Sequence, residues 1–151
     1  MSGRRLDGFG WVFLLLGVGM LANAIWMLAG PFGWYTDLPA AVPDTGPFNE
    51  HFVRDIGGAF LPVGVALVWA AFSARVRMPL AMISALFLVA HAALHVYDTT
   101  RGALDSDHWQ LDFLGVYVPA LLSAALAGML FRREKRQWAA QLVVEARRSG
   151  E

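Results

Sequence analysis

Two pairs of side chains in this sequence have the spacing and chemistry of a metal or proton site. His51 and Asp55 are four residues apart, and so are His91 and His95, with Asp98 three further on. On a helix such spacings put the side chains on one face, one turn above the other. Imidazole and carboxylate donors suit zinc, copper(II), iron or manganese. Metal sites in helical bundles are built in this way, from facing helices. The expected site therefore combines His51 and Asp55 from one helix with His91 and His95 from its neighbour. Asp98, His108 and Asp112 are candidates to complete it from the second loop. Asn49, Glu50 and Arg54 flank His51 and are candidates for holding an anionic or amphipathic ligand.

The same residues support other chemistry. A histidine inside a bundle can simply hydrogen-bond to Asp55 or to a backbone carbonyl and tie helices together. It can also carry protons, because imidazole titrates near neutrality. Arg54 can pair with Glu50 and keep its head in water. His-x-x-x-His is no zinc-protease signature here, since Ala92 stands where the glutamate of His-Glu-x-x-His is required. Haem is disfavoured. His91 and His95 share one face of one helix and cannot ligate opposite sides of the same iron, although His51 with either could. The chain has no cysteine, which excludes disulfides, thiolate metal sites and c-type haem attachment.

The elements that must position these residues are apolar. Of the 151 residues 57% are hydrophobic, more than an ordinary soluble domain carries. Four stretches approach the roughly 20 apolar residues that a membrane crossing requires: 9–29, 52–72, 78–97 and 111–131. The expected fold is an all-α transmembrane four-helix bundle over residues 1–131, followed by a basic amphipathic tail at 132–151. A soluble bundle would need polar outer faces, which these helices lack. Threading the four spans brings all four histidines to one surface.

Charge orients the bundle. With the N-terminus in the cytoplasm, ten of the twelve basic residues lie inside, all but Arg54 and Arg101. This satisfies the positive-inside rule. Eight of the twelve acids lie outside, so both termini are expected to be cytoplasmic. Arg4-Arg5 and the Ala22-Asn23-Ala24 run resemble a cleavable signal peptide. The apolar run continues to Ala29, however, and the expectation is an uncleaved first helix.

Proline and glycine at 31, 33, 39, 43, 46 and 47 exclude a long helix from the first loop. Trp34 and Tyr35 suit a membrane interface, and Asn49 suits a helix N-cap. Pro62 and Pro119 fall inside spans, where curvature is a simpler reading than gating. Gly57, Gly58 and Gly64 give the second span a thin face, and Ala81, Ala85 and Ala92 do the same for the third; small residues let helices approach closely. Asn23 and Ser84 read as interhelical hydrogen-bond formers. The tail carries Trp138, Leu142 and Val143 as an apolar stripe, continuing the fourth helix or lying on anionic lipid. Nucleic acid is not an expected partner.

Arg54-Asp55-Ile56-Gly57-Gly58 at the head of the second span, together with the four-span layout, resembles the DoxX-like group of small bacterial membrane proteins. That resemblance implies a bacterial inner-membrane protein, and some members are associated with quinone-linked oxidoreductase complexes. It implies nothing about the His-x-x-x-His of the third span. The functional expectation is a multi-pass protein whose extracytoplasmic His/Asp pocket binds a transition metal (zinc, copper or iron) or a small amphipathic ligand such as a quinone. The alternatives are a non-catalytic subunit of a larger membrane complex and a small-solute transporter built as a homo-oligomer.

Overall fold

The computed structural model describes residues 6–149. Arg4 and Arg5, counted above for orientation, and the tail's last two residues lie outside that range. The described residues form helices α1 (Gly8–Ala29), α2 (Pro31–Asp37), α3 (Glu50–Phe72), α4 (Arg77–Thr100), α5 (His108–Asp112) and α6 (Val118–Ser149), with no strand among them. A turn of 3-10 helix spans Val42–Thr45, and a π-helical turn at Phe113–Tyr117 joins α5 to α6. Four helices are long and apolar enough to cross a membrane: α1, α3, α4 and the α5–α6 rod. Their outer faces carry exposed apolar side chains such as Ile25, Ile83, Leu86 and Leu121. Such faces are at home in hydrocarbon rather than water.

The expected spans are present; polar caps begin α1 and α3, and the fourth, expected at 111–131, runs through the end of α5, the π turn and the first part of α6. Asn49 accepts from the Phe52 N–H at 3.1 Å and caps α3. Asp7 accepts from the Gly10 N–H at 2.7 Å and caps α1. Pro31 opens α2 at its first turn, where its missing N–H costs nothing. The tail is not a separate helix: α6 runs unbroken for 32 residues. Its Trp138, Leu142 and Val143 stripe is exposed rather than folded back on the bundle.

Helices α1 and α3 make the tightest contact, and its cause is a heptad of small residues. Gly10, Gly17 and Ala24 on α1 run antiparallel to Ala71, Gly64 and Gly57 on α3. A Cβ added to Gly17 would come within 2.8 Å of the Val68 backbone nitrogen and 3.1 Å of the Gly64 carbonyl. A Cβ on Gly10 would come within 2.9 Å of the Ala71 carbonyl, and one on Gly57 within 3.2 Å of the Ala24 carbonyl. Seven-residue spacing is the repeat that keeps one seam facing its partner along a left-handed crossing. Gly58 corrects the sequence reading: nothing lies within 4 Å of a Cβ placed there. Ala81, Ala85 and Ala92 are buried as expected. Ser84 is fully buried and makes no hydrogen bond among the described residues, contrary to its expected role.

The remaining packing follows the chain: α3 lies against α4, and α4 against α6. Helices α1 and α6 do not pack along their length among the described residues. At one end the Arg133 guanidinium covers the Phe9 ring at 5.6 Å. Toward the other end, where the two longer loops lie, the bundle is open between them. That loop end holds the candidate site.

Candidate functional site

The opening between α1 and α6 leads into a cleft of about 1440 Å³. Its walls are mostly apolar, including Leu16 and Met20 of α1, Phe60 of α3 and Leu122 of α6. At its loop end a few polar side chains converge: His91, His95 and Asp98 from α4, Arg101 and Gln110 from the second loop region, and Asp112.

The α5–α6 junction explains how Asp112 reaches this wall. Pro119 has no N–H to return to the carbonyl four residues back, and its ring crowds that carbonyl. The chain responds with a π turn: the Val118 N–H donates to the Phe113 carbonyl, five residues back. Asp112 stands just before that turn and is 1% exposed. Its Oδ2 lies 2.7 Å from His95 Nδ1. An ionised Asp112 fixes the proton of neutral His95 on Nδ1, leaving Nε2 as the working nitrogen.

His108 lies on the other side of the same oxygen. The imidazole is fully buried, with Nδ1 3.5 Å from Asp112 Oδ2 and Nε2 3.5 Å from Asp44 Oδ2. Neither ring nitrogen makes a hydrogen bond. Asp44 sits on the 3-10 turn of the first loop and is half-exposed. Tyr117, next to Val118, has a buried hydroxyl beside Thr99.

His91 sits one turn deeper. Its ring packs edge-on against Phe60 at 5.3 Å and stacks on Phe87 at 6.3 Å, and it meets the His95 ring at 4.7 Å. Aromatic neighbours hold the two imidazoles at the boundary between the greasy and polar parts of the cleft. Asp98 is paired with Arg101, whose Nε donates to Oδ1 at 2.9 Å.

The first loop covers the site and is itself latched. Trp34 Nε1–H donates to Asn23 Oδ1 at 2.8 Å, and the Tyr35 hydroxyl donates to the Gly46 carbonyl at 2.8 Å. Asn23 thus bonds as expected of it, with α2 as its partner.

The expected four-residue site does not assemble. His51 and Asp55 pair with each other at 3.4 Å on the exposed side of α3, and neither lines the cleft. The helical face that α3 turns inward is set by its glycines and apolar residues, and these two side chains fall off it. No group of three or more histidine and acidic side chains is arranged to hold a metal ion among the described residues. Arg54 and Glu50 pair at 2.6 Å, and Arg54 Nε donates to the Leu28 carbonyl at 3.3 Å. Arg54 therefore caps the end of α1 instead of facing the cleft. Asn49 lines the rim while its side chain caps α3.

At the far end, Arg77 makes a contact that sequence reading missed. It is buried and donates to the Ala70 carbonyl at 2.9 Å, the Ala71 carbonyl at 3.1 Å and Asp7 Oδ2 at 2.8 Å. One guanidinium thus closes the C-terminus of α3 and holds the N-cap of α1. Asp7 before an uncharged run was a legible cap signal; its partner, seventy residues away, was not. Asp44 was equally hidden, since no local pattern links it to His108.

No protein-family model, curated protein or solved structure matches this chain.

Proposed function

We propose that the protein is a multi-pass inner-membrane protein that binds a small amphipathic ligand in the α1–α6 cleft, with the loop end on the extracytoplasmic side. One observation carries the reading: apolar walls continuous with the lipid-facing surface lead to a polar end built around His95 and Asp112. Ligand sites of this kind are mostly apolar, with a few placed polar groups that fix orientation. The cleft exceeds an ordinary small-ligand pocket of roughly 300–1,000 Å³, which leaves room for a head group and part of a chain. A quinol or phenol head meets these requirements: its hydroxyl can donate to His95 Nε2 while its tail leaves between α1 and α6. Placing Asp44, Asp98 and Asp112 at the outer end agrees with the charge asymmetry of the loops. A metal ion is the weaker occupant, since His51 and Asp55 stand apart from His91 and His95.

The test is saturable binding. A decyl-substituted benzoquinol, kept reduced and titrated into protein in phospholipid nanodiscs, should quench tryptophan fluorescence with a saturating curve. His95→Leu should abolish the saturation. Uptake no different from that of empty nanodiscs would refute the reading.

The open α1–α6 side favours one second reading, an accessory subunit or homo-oligomer in which another helix closes the cleft. Cross-linking from Leu15→Cys on α1 in native membranes discriminates the two: an adduct with another chain supports a closing partner, and none supports lipid access.

A further inference from the structure

Asp44, His108, Asp112 and His95 stand in a line from the half-exposed first loop to the cleft. The successive separations are 3.5 Å, 3.5 Å and 2.7 Å. We propose that this line is a proton relay between the aqueous loop end and the ligand cleft. Its key member is His108, a fully buried imidazole with both nitrogens unbonded and a carboxylate facing each. A histidine needed only for packing would not be placed with both polar atoms unsatisfied, because each such atom is costly. A histidine that must take a proton at one nitrogen and release one at the other requires an acceptor on each side.

The step moves a proton and no electron. A ligand hydroxyl gives its proton to His95 Nε2, leaving an oxyanion and an imidazolium. The Nδ1 proton of His95 passes to Asp112 Oδ2. Asp112 passes it to His108 Nδ1, and the Nε2 proton of His108 leaves to Asp44 and then to water. His95 and His108 each end in the other neutral tautomer, and ring reorientation or the reverse transfer resets them. The 3.5 Å gaps flanking His108, against 2.7 Å at His95, make the His108 hops the slow ones. Other titratable or charged groups near the line are His91 against His95, Asp98 and Arg101 at the cleft rim, Asp105 and Asp107 in the turn before His108, and Tyr117 in the π turn.

The proposal depends on the ligand reading only for the identity of the proton donor, and its test is independent of binding. ¹⁵N-histidine NMR of the protein in phospholipid nanodiscs reads the exchange of His95 ring protons with water. His108→Phe should slow that exchange roughly a hundredfold or more, the scale of a lost acid–base group. Asp44→Asn, on an exposed turn that the fold does not need, should slow it in the same direction, and His51→Gln should leave it unchanged. Unaltered His95 exchange in Asp44→Asn would overturn the relay, even if His108→Phe fails to fold, and would leave benzoquinol binding untouched. Absence of benzoquinol binding with exchange still dependent on Asp44 would sink the ligand reading and keep the relay.

Discussion

His95 and Asp112 meet at 2.7 Å across the α4–α6 packing, although one belongs to a transmembrane helix and the other to the turn before one. The pair is the point at which the fold commits a buried carboxylate to a purpose. Asp112→Ala should leave His95 Nδ1 without a partner and destabilise the protein by about 1–3 kcal/mol, read as a lower midpoint of thermal unfolding in detergent. Asp112→Asn keeps the volume, but its carboxamide can also donate to His95 Nδ1 and favour the other tautomer. It should therefore spare most stability while weakening benzoquinol binding about tenfold, a cost of roughly 1.4 kcal/mol. Equal affinity in wild type and Asp112→Asn would show that the tautomer of His95 does not matter.

Gly57 and Gly58 are adjacent in sequence and opposite in consequence. Gly57→Ala forces a methyl to within 2.8 Å of Met27 Cβ and 3.2 Å of the Ala24 carbonyl, and the α1 backbone cannot yield as a side chain can. A loss of about 1–3 kcal/mol is expected, as for overpacked cores. Gly58→Ala meets nothing and should gain about 0.5–1 kcal/mol from helix propensity. Steric-trap or thermal unfolding in detergent measures both, and similar effects at the two positions would contradict the heptad seam.

These two glycines also mark how far the sequence could be read. Span positions, helix caps and the general use of small residues follow from local pattern, so four long helices and Asn49 as a cap were legible. Which glycine faces α1 depends on helix rotation, and that is set by the partner heptad Gly10-Gly17-Ala24. The histidines show the same limit. His91 and His95 are legible as one face of one helix, and the sequence pairs them with His51 and Asp55 of α3 because α3 and α4 are consecutive. In the structure only Asp112, expected from the second loop as a completing residue, meets His95, rotated inward ahead of the π turn that precedes Pro119. Contacts such as Asp44 with His108 or Asp7 with Arg77 join distant positions and leave no local trace.

Asn23 and Trp34 form the latch of the first loop through one hydrogen bond of 2.8 Å. Asn23→Leu removes the acceptor and leaves the indole N–H unsatisfied, so α2 should release. Hydrogen–deuterium exchange across residues 31–45 should then rise, while the seam residues of α1 stay protected. If protection of residues 31–45 is unchanged, the loop is held by its remaining contacts, such as the Tyr35–Gly46 bond, and the latch assignment fails.

Asp7 supplies the pH test of the tail end. The Arg77 guanidinium and then the Gly10 N–H stabilise its carboxylate and hold its pKa below the ordinary value of 3.8. A carboxyl with a depressed folded-state pKa contributes its full stabilisation above the unfolded value and loses it as pH falls through the folded one. The Asp7→Asn variant retains a cap of similar quality but lacks the charge facing Arg77. Wild type should therefore be the more stable protein at pH 7, and the difference should shrink once pH drops below about 4, the ordinary carboxylate range. Because Asp7 is half-exposed, the difference should be small, about 1 kcal/mol or less, and should diminish in high salt. Arg77→Met gives the contrasting case. It removes donors to two α3 carbonyls that no pH change restores, so its loss should persist across the same range. A gap between wild type and Asp7→Asn that widens on acidification would reverse the sign and rule out the Arg77 staple as its cause.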